Sequence, residues 1–389
     1  FCGEDTVRYL FCRAAADAEI SVIEGVMGMY DGIGPDTQEA SSNHLAMVTK
    51  TPEILVVNTR GMSLSAAALL SGYAQFAPNQ LAGVIFNGSS AGMYSSYAKM
   101  AQSLGLQPLG YFPVVPQASV ESRHLGLVTA GEIENLKEKM VLLAETAEKT
   151  LDLDGILQLA QSTVTLEYKK PSLPPLQQVS VRIGVALDEA FCFYYADNLE
   201  LLEEMGAKLV PFSPLHNKSL PPDLDGLYLG GGYPELYARL LAENETMRQS
   251  VRQAVTNEMP TIAECGGFLY LQQSLADRTG NEFPMTGALP GKGQMTDRLV
   301  RFGYVDLLSR REQMICPAGG QIRGHSFHYS DTTKNGESFL ARKRKDEYFC
   351  VQAGPRLYAG YPHLYFWSNP DAASRFLAQC ATYQKEQKV

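Results

Sequence analysis

The stretch Pro260-Thr-Ile-Ala-Glu-Cys-Gly-Gly-Phe-Leu-Tyr-Leu271 constrains this chain more than any other, because an apolar run ends in a cysteine and two glycines and a second apolar run follows at once. Such a pattern predicts a strand, a sharp turn and a helix, with Cys265 presented at the turn. A turn of this kind has a strained backbone and must let a substrate come close, so its neighbours have to be small; Gly266 and Gly267 meet both conditions. The amides opening the following helix favour a thiolate, the form of cysteine that attacks carbonyl carbon. A buried structural cysteine is the alternative, and the flanking glycines favour the nucleophile.

The 389 residues suit two α/β domains, each long enough to bury its own core. The net charge of −9 and the lack of a basic stripe argue against a nucleic-acid partner, since the cluster at 342–345 runs straight into Asp346 and Glu347. No apolar run approaches the roughly 20 residues that span a bilayer. Seven cysteines without a C-x-x-C pair fit a reducing compartment, so a cytoplasmic location is expected.

Strands are expected at Ile20 to Glu24, Ile54 to Asn58, Leu81 to Asn87 and Leu109 to Phe112, with helices at 63–76 and 95–104 between them. Helical composition continues over 128–162. Strands spaced by helices imply a parallel sheet that binds ligands at the carboxyl ends of its strands. Three prolines between Thr165 and Gln178 mark a linker. The domains are therefore placed at 1–164 and 179–389, with 165–178 between them. The second α/β pattern includes Val181 to Leu187, a helix near 197–205, and apolar runs at 208–212, 226–229 and 260–263.

Within the second domain, Gly230-Gly-Gly-Tyr-Pro-Glu235 is a glycine loop at a strand end. Consecutive glycines let backbone N–H groups converge on one point, as an oxyanion requires; Gly231, Gly232 and Gly266 are the candidates for that role. A phosphate loop would need a Lys and a Ser/Thr that are lacking here. A thiolate nucleophile also needs a base. Histidines stand at 44, 124, 216, 325, 328 and 363, and His363, in Tyr361-Pro-His-Leu-Tyr-Phe-Trp367, is one candidate beside His325 and His328. The spacing of the last two also suits packing, which is favoured, or metal ligation.

The set GGGYPE, AECGGFLYL, RGHSFHYS and YPHLYF, with DEAFCFYYADNLELLEEMGA ahead of it, resembles the glutamine amidotransferase domain of the cobyrinic acid a,c-diamide synthase family. The resemblance implies a flavodoxin-like class I amidotransferase fold, a thioester formed between glutamine and Cys265, and activation of that cysteine by His363. Family members usually carry glutamate where this chain has Ser326.

In the first domain, Val22-Ile-Glu-Gly-Val-Met-Gly-Met-Tyr-Asp-Gly32 puts an acid at a predicted strand end, where a carboxylate can hold Mg²⁺ on nucleotide phosphates; a turn or cap carboxylate would look similar. The stretch resembles the family's synthetase domain, with a P-loop-NTPase-like parallel sheet. It implies Glu24 as the magnesium-binding acid, Asp31 near the substrate carboxylate and Asn87 near the adenine. Matches continue at Arg60 to Ala68, Gly83 to Asn87 and Arg123 to Val128. The family's Gly-rich P-loop is not found before Glu24 or elsewhere, and the sequence opens on Phe1. A piece of a longer protein is the expected explanation, and loss of ATP chemistry the other.

The expected reaction is amidation of the a and c side chains of cobyrinic acid, using ATP and ammonia from glutamine. Hydrogenobyrinic acid and a nickel-sirohydrochlorin are rival acceptors, cobyric acid synthase shares both domain types, and a non-catalytic binding protein is the rival from another class. A homodimer is one assembly left open.

Overall fold

A computed structural model describes residues 1–120, 133–174, 180–344 and 346–388. The chain divides into Gly3–Lys170 and a second unit of Phe1–Cys2 with Pro171–Val389. That division falls within the proline-bearing stretch of the sequence.

In the Gly3–Lys170 unit, strands Glu53–Asn58, Leu81–Asn87 and Gln107–Phe112 form a parallel sheet in that order. Helices Ser65–Gln75 and Ala91–Ser103 connect them. Val57, Val84 and Phe86 from the sheet meet Ala66, Leu70, Tyr97 and Ala101 from the helices in one buried cluster. Phe86 stacks on Tyr97 with centroids 5.1 Å apart. The apolar, β-branched strand residues suit this covered surface.

One expected strand is not formed. Ile20 to Glu24 has no ladder partner and no regular structure, and Val22 is 91% exposed. A strand needs a neighbour to take its backbone N–H and C=O groups. The described sheet of this unit stops at three strands, so apolar composition alone does not order the run. The helical stretch near 128–162 resolves into Leu136–Thr150 and Leu153–Gln161; the Asp152 side chain caps the second by accepting from the Gly155 N–H at 2.9 Å. Arg123 and His124 lie outside the described residues.

The larger unit is built on a six-stranded sheet in the order 352–354, 357–360, 261–264, 226–229, 181–186 and 207–212. All neighbours are parallel except the edge pair 352–354 with 357–360. Ile183, Leu227, Tyr228, Ile262 and Ala263 are fully buried, which explains why its central strands read as continuous apolar runs. Beside it stands an antiparallel sheet of 347–350, 339–342, 303–309, 321–326 and 363–364, in that order. The chain is thus mixed α/β with parallel sheets in both units. Among the described residues no helix is long and apolar enough to cross a membrane.

Candidate active site

Cys265 sits between the strand Thr261–Glu264 and the helix Gly266–Leu271 with φ 47° and ψ −100°. A non-glycine residue held there stores about 1–3 kcal/mol of strain. The surroundings enforce it: the Cys265 N–H donates to the Gly360 carbonyl at 2.8 Å, and the Cys265 carbonyl accepts from the Leu269 N–H at 3.0 Å. A Cβ on Gly267 would come within 2.1 Å of the Leu229 carbonyl oxygen, and one on Gly266 within 2.9 Å of Pro234 Cδ. These two glycines let the glycine loop pack directly on the turn.

That loop is fixed from both sides. The Gly267 N–H donates to the Gly230 carbonyl at 2.9 Å, and the Gly230 N–H donates to the Tyr194 hydroxyl at 2.8 Å. Gly232 has φ +147°, and a side chain there would strike the Ala190 carbonyl at 2.3 Å. Gly231 faces the other functional residue, because its Cβ would lie 2.4 Å from His363 Cε1. Gly231→Ala is therefore expected to push the imidazole away and lower the rate of Cys265 alkylation by iodoacetamide at neutral pH at least tenfold; an unchanged rate would show that the contact relaxes without cost.

His363 opens a two-residue strand that pairs with Gly324 and His325. The segment behind it is clamped by the buried Asn198, whose Nδ2 donates to the Leu364 carbonyl at 2.7 Å and whose Oδ1 accepts from the Phe366 N–H at 2.8 Å. Asp197 holds the same segment, accepting from the Tyr365 hydroxyl at 2.7 Å through its carboxylate and from Trp367 Nε1 at 3.1 Å through its carbonyl. The Phe193 ring lies 4.6 Å from the imidazole.

The imidazole is buried beside Cys265. Burial works against its charged form, but Cys265 and Glu264 outweigh that and raise His363 from 6.5 to about 9. His363 is thus mainly imidazolium at neutral pH, beside the sulfur.

Of the other histidines, burial lowers both His325 and His328 to about 4, which keeps them neutral. His216 pairs with Glu189 on the surface at 3.0 Å, and His44 Nδ1 accepts from the Ala40 N–H at 2.9 Å. Ser326 is fully buried.

Sequence reasoning missed Glu264. Only 1% exposed, it accepts from the Leu364 N–H at 3.0 Å and the Tyr228 hydroxyl at 3.2 Å, and its Oε2 is 3.6 Å from His363 Nδ1. The last is an ion-pair separation slightly longer than a hydrogen bond. The available signal was a carboxylate ending the apolar strand Thr-Ile-Ala-Glu, since such residues are almost never fully buried without partners.

The structure thus gathers Cys265, His363, Gly231, Gly232 and Gly266. Glu24 and Asp31 are both exposed on chain without helix or strand. The Asp31 carboxylate folds back on Gly28, where a Cβ would lie 2.0 Å from Oδ2. Asn87 ends the middle strand of its sheet, in register with Asn58, and its carbonyl accepts from the Thr59 N–H at 2.9 Å. Among the described residues no hydrogen bond or ion pair joins Glu24, Asp31 and Asn87, and no three His, Cys, Asp or Glu side chains gather as a metal cluster. This donor set fits no resident metal cage; Glu24 suits only the single carboxylate that a phosphate-borne Mg²⁺ takes from protein.

Residues 182–371 match the family of CobB/CobQ-like glutamine amidotransferase domains. Over 396 aligned positions the chain is 41% identical to the cobyrinate a,c-diamide synthase of Syntrophotalea carbinolica, covering 97% of this chain and 85% of that protein. The chain belongs to the cobyrinate a,c-diamide synthase family. The synthase of Caldanaerobacter subterraneus is 36% identical, with 99% of this chain and 86% of that one covered, and the synthase of Listeria innocua 39%, with 94% and 83%. Both units of this chain lie within the stretch shared with these synthases, while the amidotransferase match contains the glycine loop, Cys265 and His363.

Proposed function

We propose that the chain is a glutamine-dependent amidoligase that converts the a and c side-chain carboxylates of cobyrinic acid to amides, with ATP as the activating co-substrate. The observation that carries this reading is the pairing of Cys265, on its strained turn, with the buried imidazole of His363. The names of the relatives supply the acceptor.

In the glutaminase half-reaction the Cys265 sulfur, as thiolate, attacks the γ-amide carbon of glutamine. The oxyanion that forms is met by backbone N–H groups of Gly266 and the Gly231–Gly232 loop. His363, carrying the proton, gives it to the departing nitrogen as the C–N bond breaks, leaving ammonia and a γ-glutamyl thioester. The neutral imidazole then takes a proton from water, which adds to the thioester and releases glutamate. Both partners are nearly buried, so little bulk water competes with these steps.

In the synthetase half-reaction, ATP with Mg²⁺ supplies phosphoryl transfer to each acceptor carboxylate, and ammonia displaces the phosphate. On this reading Glu24 offers a carboxylate to the ion, Asp31 faces the acceptor carboxyl and Asn87 faces the base. The carboxyl ends of parallel strands are where such ligands bind, which supports the place given to Asn87. Both half-reactions are cytoplasmic on this reading.

The test is incubation with glutamine, ATP, Mg²⁺ and cobyrinic acid, with mass-spectrometric detection of mono- and diamide. Hydrogenobyrinic acid and nickel-sirohydrochlorin are run in parallel. Amidation of cobyrinic acid at the highest kcat/KM supports the assignment, preference for either rival reassigns the acceptor, and no amide from any of them overturns the ligase reading.

A further inference from the structure

We propose that Glu264, the residue immediately before the nucleophile, is the positioning carboxylate of His363, so that a Cys-His-Glu unit is assembled from two adjacent residues and one distant one. The inference rests on the glutaminase reading above. In an ordinary strand, successive side chains point to opposite faces, and residues 264 and 265 would diverge. Here the turn at Cys265, with φ 47° and ψ −100°, interrupts that alternation. Glu264 Oε2 approaches His363 Nδ1 at 3.6 Å, which leaves Nε2 as the imidazole nitrogen for the cysteine sulfur.

Glu264 is itself held in one orientation. Oε1 takes the Leu364 N–H, the amide of the residue next to His363, at 3.0 Å, and Oε2 takes the Tyr228 hydroxyl at 3.2 Å. A single carboxylate thereby bonds the backbone that carries the imidazole and also faces the imidazole itself. Through Nδ1 it fixes the ring orientation and favours the imidazolium that the reaction requires. The groups facing this pair are Cys265 at the imidazole, the neutral His325 and His328, and the hydroxyls of Tyr194, Tyr195, Tyr228 and Tyr358 around the carboxylate. Burial keeps all four phenols protonated, leaving Glu264 as the carboxyl group that faces Nδ1.

Glu264→Gln keeps the shape and an acceptor for Leu364 while removing the charge. In the full chain it is expected to lower glutaminase kcat about 10²-fold or more, with KM for glutamine changed less than about threefold. The His363 pKa, read by NMR of the ¹⁵N-labelled ring, should fall by at least one unit. Glu264→Asp should regain part of both.

A folded Glu264→Gln protein with unchanged kcat and unchanged His363 pKa would overturn the proposal, as would a rise in KM alone. If that variant does not fold, the wild-type protein decides: a far-downfield His363 Nδ1 proton at pH 7 supports the pairing, and its absence from a resolved ring spectrum contradicts it. A wild-type chain that hydrolyses no glutamine would defeat the glutaminase reading, and the ring titration would still report on Glu264.

Discussion

Replacing Cys265 with alanine is expected to lower glutamine hydrolysis by about 10⁴-fold or more, while amidation supported by added ammonia continues at the wild-type rate. The split follows from the chemistry. On the proposed reading Cys265 forms the bond to the glutamine carbon, and it is the cysteine that acts on the His363 imidazole. Cys316 and Cys350 are weak replacements, because burial raises their thiols to about 11 and about 12. Alanine also fits without a clash, because it keeps the Cβ that the turn already accommodates. Assays with glutamine and with ammonium chloride, run on the same protein, separate the two half-reactions. Equal loss of both activities would show that they are not divided as proposed.

His363→Asn is expected to reduce glutaminase kcat about 10³-fold and to alter the pH profile. In the wild-type protein the imidazolium is present up to about pH 9, so the activity limb that depends on its proton should fall through that value and be missing from the variant's residual activity. The same residue leaves a signature in stability. Its folded pKa is raised above 6.5, so its interaction with Glu264 and Cys265 stabilises the native state fully below about pH 6.5 and is lost as the pH rises through about 9. Thermal midpoints measured from pH 6 to 10 should show that decline in the wild type and a flatter course in the variant. Parallel curves would mean that His363 does not titrate as the buried pair requires.

How much of this was readable beforehand differs between the units for physical reasons. The turn at Cys265 was legible because glycine is nearly obligatory there: a Cβ at 267 would strike backbone 2.1 Å away, a constraint that leaves its mark directly in the residue types. The central strands of the larger sheet were legible because both faces are covered and their residues are uniformly apolar. Ile20 to Glu24 carried the same composition yet forms no strand, since ladder partners are a tertiary property that a local run cannot encode.

The antiparallel sheet that presents His363 went unseen for a related reason. Several of its strands are four residues or fewer, too short for alternation to stand out. Asn198 and Glu264 also escaped, because each works through one backbone segment distant in sequence. Their partners at 364 and 366 become neighbours only when the strand Thr261–Glu264 pairs with Leu357–Gly360 and the chain continues into His363.

The most direct measurement is glutamate release from glutamine by the 389-residue chain, alone and with ATP and cobyrinic acid, in parallel with Cys265→Ala. Turnover that is present in the wild type and absent from the variant is the predicted result. Equal turnover in both proteins, or none from the wild type under either condition, would contradict the assignment of Cys265 and His363 as a glutaminase centre.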